Sequence, residues 1–104
     1  MRIRQEVKTD LKKVDLPNEI EIYGMGLVGE SFYYLIKNIC MVKCFIDRNG
    51  GHFDLPVIRT NEYVWSGRKI IVTPTFFFEE IRKDLISAGV EENSIISLRD
   101  LLIT

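Results

Sequence analysis

Glu19-Ile20-Glu21-Ile22-Tyr23-Gly24-Met25-Gly26-Leu27-Val28-Gly29 is the stretch that decides the fold. Its first five residues alternate polar and apolar, the period of a strand. Its last six fit G-x-G-x-x-G. From Leu27 onward the apolar spacing becomes helical: Val28, Phe32, Leu35, Ile36 and Ile39 share one face, with Glu30, Ser31, Lys37 and Asn38 elsewhere. The motif is weak evidence alone, but here it follows a strand and opens a helix, the context in which it carries meaning. Gly24 permits the tight strand-to-helix turn. Gly26, with no Cβ, lets a diphosphate approach the backbone, and Gly29 lets the helix pack closely on the strand. The free N–H groups and positive dipole end of the helix then face that diphosphate.

The next requirement is an acid about 20 residues on, at the end of the following strand. Residues 41–46 are a short run of strand formers, and Asp47 stands at their end, before Arg48-Asn49-Gly50-Gly51. A carboxylate there accepts hydrogen bonds from ribose hydroxyls and repels a 2′-phosphate, which favours NAD over NADP. Arg48 pulls the other way, because a guanidinium pairs with phosphate or stacks on a base. S-adenosylmethionine folds place glycines and an acid similarly but prefer G-x-G-x-G. Val28 holds the third of those positions, so that reading is the weaker one.

The rest of the chain continues the alternation. Residues 56–58 read as a small strand, and Thr60 caps a short helix through Trp65 that Gly67 ends. Lys69-Ile70-Ile71-Val72-Thr73 is a β-branched run suited to burial on both faces, as in a central parallel strand. Pro74 stops it. Thr75 caps the next helix, whose apolar face is Phe77, Phe78, Ile81, Leu85 and Ala88, with Gly89 at its end. Residues 94–98 form a last strand, followed by a helical turn over 99–102. Near the N-terminus, Ile3, Val7, Leu11 and Val14 mark a helix over residues 3–15, closed by Pro17. The expectation is an α/β chain: a single Rossmann-like three-layer domain over residues 18–104, with a mostly parallel sheet of about five strands and helices on both faces. An N-terminal helix (residues 1–17) packs on that body or pairs with a second chain.

With 104 residues, the chain has room for one domain and not for a dinucleotide domain plus a separate catalytic one. A net charge of −1 leaves no electrostatic footprint for nucleic acid and gives no reason to expect a membrane surface as partner. There is no apolar run of about 18 residues and no apolar signal core, so a cytoplasmic location is the default. Two cysteines and one histidine do not make a four-ligand zinc site, and no metal is expected. Cys40 and Cys44 read as buried free thiols, with a regulatory disulfide as the alternative. His52 reads as a loop residue facing solvent. Phe76-Phe77-Phe78 is too apolar for one helix face, so one ring is left for solvent or a partner. Trp65 is another candidate contact.

The segments Ile22-Tyr23-Gly24-Met25-Gly26-Leu27-Val28-Gly29, Phe45-Ile46-Asp47-Arg48-Asn49, Leu55-Pro56-Val57-Ile58, Ile70-Ile71-Val72-Thr73-Pro74 and residues 81–90 together carry a resemblance. The chain resembles the small Rossmann-type domain of nucleotide-sugar dehydratases and epimerases of polysaccharide biosynthesis. The resemblance implies a nucleotide pocket at the carboxyl ends of the strands. Gly24, Met25, Gly26, Leu27, Val28 and Gly29 would hold phosphates, and Asp47, Arg48 and Asn49 the ribose or base. Thr73, Pro74 and Thr75 would line the opposite wall. The implied ligand is NAD, with NADP or a nucleotide sugar as alternatives. Those enzymes carry a Tyr-x-x-x-Lys catalytic pair in a second domain. Here only Tyr33 and Lys37 match the spacing, within the helix that follows the glycines, so catalytic residues are not assigned. The expected function is a binding module in nucleotide-sugar or surface-polysaccharide metabolism. Its partner would be a second copy, or a catalytic domain or subunit supplied elsewhere. The alternatives are a non-catalytic NAD-sensing regulatory domain, like those of potassium transport systems, and a degenerate fold used for protein interaction.

Overall fold

The computed structural model describes residues 16–102; the helix expected over residues 3–15 lies outside them. The elements are β1 (Glu19–Tyr23), α1 (Leu27–Ile36), β2 (Met41–Asp47), β3 (Val57–Arg59), β4 (Lys69–Val72), α2 (Phe78–Ser87), β5 (Ile95–Ser97) and α3 (Leu98–Leu102). The five strands form one sheet in the order β3-β2-β1-β4-β5, and every pairing is parallel. This is a single Rossmann-like α/β domain.

Chain direction explains which face each connection covers. From β1 through α1 to β2, and on to β3, the chain steps one way along the sheet. The right-handed crossover rule puts both connections on the same face. Phe32 and Ile36 of α1, with Phe53 and Leu55 from the β2–β3 loop, accordingly pack over Ile20, Ile22, Val42, Phe45 and Ile71. The chain then reverses, crossing from β3 past β2 and β1 to β4 and continuing through α2 to β5. Tyr63 and Trp65 from the long crossover, with Ile81 and Leu85 from α2, cover Tyr23, Cys44, Ile46, Ile70 and Val72 on the other face. Leu98 and Leu101 of α3 return to the first face.

The crossover from β3 to β4 departs from the helix expected through Trp65. Only Thr60–Glu62 winds, as a 3₁₀ turn, because Tyr63 turns inward. Its hydroxyl donates a hydrogen bond to the Glu21 carboxylate, Ser66 donates to the other oxygen at 3.2 Å, and Arg68 approaches that oxygen at 3.4 Å. Glu21 is only 3% exposed. A polar residue of the alternating strand, it lies beneath this crossover. Trp65 is likewise held, donating from its indole to the Arg68 carbonyl at 2.8 Å. Among the described residues no buried side-chain nitrogen or oxygen lacks a partner. A non-helical crossover is thus fastened to the sheet by one carboxylate on the central strand.

Beside Glu21, the pairing of β1 with β2 shifts register: Ile20 lies opposite Val42, but Ile22 lies opposite Phe45. The extra β2 residue bends the strand and turns Cys44 toward the Glu21 face while Val42 and Phe45 share the other. Cys40 and Cys44 therefore pack on opposite faces. Both are free and buried.

Two expectations follow from this network. Tyr63→Phe leaves a buried carboxylate oxygen short of a donor and should cost about 1–3 kcal/mol, read as a lower urea midpoint with unchanged slope. The second concerns alkaline pH. Burial, and next the Glu21 carboxylate, pushes the Cys44 thiol from 9.0 up to about 12. Burial and the bond to Glu21 push the Tyr63 phenol far above its ordinary 10.0. Both groups keep their protons in the folded chain where the unfolded chain loses them. Their contribution to stability is therefore complete below the ordinary thiol value and falls as pH rises through it. Thermal unfolding across alkaline pH should show this decline, and Cys44→Ala should make it shallower.

Candidate functional site

Reversal of chain direction between β1 and β4 leaves a crevice above their carboxyl ends, the usual ligand position in open parallel α/β sheets. Three glycines stand at its base and differ in what they do. Gly24 adopts φ +100°, and a Cβ there would meet the Thr73 hydroxyl oxygen at 2.6 Å and Pro74 Cδ at 2.8 Å. A Cβ on Gly29 would lie 1.8 Å from the Gly24 carbonyl oxygen. Gly26 has ordinary backbone angles, φ −68° and ψ −169°, and a Cβ there would meet none of the described residues within 4 Å. The fold requires Gly24 and Gly29; it does not require Gly26.

The glycine turn is held from both sides. The Gly24 N–H donates to the Ile46 carbonyl at 2.8 Å and the Thr73 N–H to the Tyr23 carbonyl at 3.0 Å. The Thr73 hydroxyl, buried, donates to the Tyr23 carbonyl at 2.8 Å. Thr73 therefore joins the ends of β1 and β4 beneath the crevice rather than presenting its hydroxyl to it. Helix α1 starts at Leu27 with Gly26 as its cap, and no side chain caps that end. Its first-turn N–H groups and positive dipole end are the parts of the site suited to an anion.

Asp47 closes the far side. One carboxylate oxygen accepts from the Met25 N–H at 2.9 Å and the other from the Asn49 N–H at 2.9 Å. The acid thus fixes the glycine loop and its own turn together, and each oxygen retains a second lone pair. The loop beyond it is pinned by Phe53, stacked edge-on against Phe45 and Tyr33 at ring separations of 5.1 and 5.3 Å. Arg48 reaches across to α2, with Nη2 3.6 Å from Glu80 and 3.4 Å from Asp84. Tyr23, Gly24, Asp47, Arg48, Asn49, Pro74, Phe77 and Glu80 are among the residues lining a cleft of about 370 Å³ here.

On the other side of Pro74 lies a second, apolar cleft of about 590 Å³, lined by Val28, Thr75, Phe76, Phe77, Leu98 and Arg99 among others. The structure corrects several side-chain assignments at this rim. Val28, expected on the packed face of α1, is exposed, as is Leu27 at 84%. Helix α2 begins at Phe78 after a 3₁₀ turn over Thr75–Phe77, and no side chain caps it, Thr75 included. Phe77, assigned to its packed face, is exposed, and Phe76 is 98% exposed. Ala88 also faces solvent. Two rings rather than one are left outside. Spacing misses this at the helix ends: Phe76 and Phe77 lie in the 3₁₀ turn before α2 and Ala88 lies past its last residue, so a face drawn over the whole apolar run includes residues outside the helix.

The cleft brings together Gly24, Asp47, Arg48, Asn49 and Pro74, and Met25 joins them through its N–H bond to Asp47; Val28, Thr73 and Thr75 line the apolar cleft instead, and Gly26 and Leu27 stand at the start of α1 and line neither. Sequence reading placed Phe77 on a packed helix face rather than at the site and did not single out Glu80 or Asp84, whose only signal was their acidic i, i+4 spacing on α2. Tyr33 packs among aromatic rings and Lys37 follows the opposite end of α1, 5.4 Å from the Tyr34 ring, so that pair is remote from the crevice. His52 is exposed in its loop. Among the described residues no three His, Cys, Asp or Glu side chains cluster in a way that holds a metal, and no helix is long and apolar enough to cross a membrane. No family model, curated protein or solved structure matches the chain.

Substitution separates the glycine roles. Gly29→Ala should lower stability by about 1–3 kcal/mol or more, since the helix has to move off β1. Gly26→Ala should change it by less than about 1 kcal/mol. Thermal unfolding of the two variants side by side reads the difference.

Proposed function

We propose that this chain is a nucleotide-binding module, with NAD or a nucleotide sugar as its ligand class, that does no chemistry alone. One observation carries the reading. Gly26 meets no packing demand from the described residues, yet sits without a side chain at the uncapped start of α1, two residues past Gly24 of the cleft lining. A glycine that the fold does not need, at a helix end suited to anions, is best explained by close approach of a phosphate. Asp47, with lone pairs left toward the cleft, supports a ribose beside it. In this reading the Gly24–Gly29 turn holds the diphosphate, Asp47 the ribose hydroxyls, and Phe77 and Pro74 offer apolar surface to a base or ring.

A bound nicotinamide would supply hydride-transfer chemistry; the chain's own residues bind and orient. Nothing lining the cleft forms a nucleophile–base pair, which favours a module completed by another chain or domain over a free-standing enzyme. The exposed apolar rim of Leu27, Val28, Phe76 and Phe77 beside the site favours that same completion. A role in sugar-nucleotide or surface-polysaccharide metabolism, or as an NAD-responsive regulatory unit, fits this architecture.

The test is thermal unfolding with NAD, NADP, UDP-sugars and S-adenosylmethionine. A ligand at about a hundred times its Kd should add ~2.7 kcal/mol, several degrees for a domain this size. Gly26→Leu should remove the shift while the domain stays folded. A shift unchanged in that variant, or no shift with any of these ligands, would sink the reading.

A further inference from the structure

Sequence alone leaves Asp47 and Arg48 opposed: the acid selects against a ribose 2′-phosphate, the guanidinium for it. The structure places them differently. Asp47 is anchored by two backbone N–H groups at the cleft floor. Arg48 is drawn to α2, where one guanidinium nitrogen lies within 3.6 Å of both Glu80 and Asp84. Arg48 is the only cation lining the cleft among the described residues. Two carboxylates of α2 therefore hold the one guanidinium that shares the cleft with Asp47. Arg59, on β3, lies along Gly50 and lines neither that cleft nor the neighbouring one with Asp84 in its wall. The basic residue Arg82 on α2 is engaged by Glu79 and Glu92.

We infer that Glu80 and Asp84 are specificity-determining residues: by holding and neutralising Arg48, they make the site select nucleotides with a free ribose 2′-hydroxyl over 2′-phosphorylated ones. The inference rests on the nucleotide-binding reading and deepens it. A 2′-phosphate entering here would carry about two negative charges toward Asp47, Glu80 and Asp84, against one cation already paired. A 2′-hydroxyl instead donates to Asp47. The Glu80 and Asp84 carboxylates are exposed, with side chains 62% and 47% accessible, so their pull on Arg48 is modest and removable without disturbing the core.

The experiment is titration calorimetry of the whole chain with NAD and NADP, and with ADP and its 2′-phosphorylated form, at low ionic strength. The wild type should bind the free-hydroxyl member of each pair tighter by roughly five- to tenfold or more. Glu80→Gln with Asp84→Asn should narrow or invert that ratio by gaining affinity for the 2′-phosphorylated member. Adding Arg48→Ala to that pair should cancel the gain. Glu79→Gln with Glu92→Gln makes the same charge change where Arg82 is the partner, and should leave the ratio alone. Equal binding of both members by the wild type overturns the inference, as does an unchanged ratio in the Glu80/Asp84 variant or an equal change in the Glu79/Glu92 control. Each of those results leaves nucleotide binding itself standing. Binding of no member of either pair removes the underlying reading, and the inference with it.

Discussion

The close approach of Gly29 to the Gly24 carbonyl is the constraint on which the rest of the structure depends. Placing a helix backbone against the last carbonyl of the preceding turn, with no Cβ between them, brings α1 down onto β1 and fixes its axis. Phe32 and Ile36 can then reach Ile20, Ile22 and Val42, and the open end of the helix lies beside the strand ends. The positive φ of Gly24 and the Thr73 hydroxyl under the turn belong to the same arrangement. Shifting α1 outward would weaken its packing and displace the Met25 N–H from the Asp47 carboxylate. Core packing and site geometry are therefore set by one contact.

A second fastening works on the opposite face and by different physics. The chain must return from β3 to β4 across two strands, and it does so without a helix to cover them. Burying Glu21 on the central strand is costly by itself. The cost is offset because Tyr63, Ser66 and Arg68 all come from the one connection that needs anchoring. Two apolar residues in place of Glu21 and Tyr63 would fill the space but would remove the buried hydrogen bonds that fix the path of the crossover there. Tyr23, two residues further along β1, adds a hydrogen bond to Thr60 at 3.1 Å, so the central strand directs the crossover at two points.

How much of this was legible follows from what each residue's signal depends on. The strand-glycine-helix order and the β-branched run at residues 69–73 are local patterns, and they specified the parallel sheet with helices α1 and α2, but not the non-helical crossover from β3 to β4. Gly24 and Gly29 were legible because their demands arise within one turn. Glu21 was not, because a polar residue in an alternating strand reads the same whether it faces water or a tyrosine 42 positions away. The β2 bulge was hidden similarly, since Val42-Lys43-Cys44-Phe45 has no alternation to break. At the candidate site, Asp47 and Arg48 were visible side by side, but their division of labour depends on Glu80 and Asp84. Those two come from a helix more than thirty residues away (36 to Asp84), and nothing local links them to Arg48.

The three glycines also separate fold from ligand in a way that the motif as a whole does not. A chain that kept this architecture without a ligand would still need Gly24 for its backbone angle and Gly29 for its packing. It would gain nothing from a glycine at position 26, where a serine, threonine or aspartate would cap α1 better and no neighbour stands in the way. The residue that best stabilises an isolated helix start is one whose side chain occupies the N–H groups there. The residue found is the one that leaves them free. The open helix end is flanked by an anchored acid on one side and exposed Leu27, Val28, Phe76 and Phe77 on the other. Helix stability and solubility both favour closing such a surface, and that unmet demand is the physical ground on which the proposed nucleotide site rests.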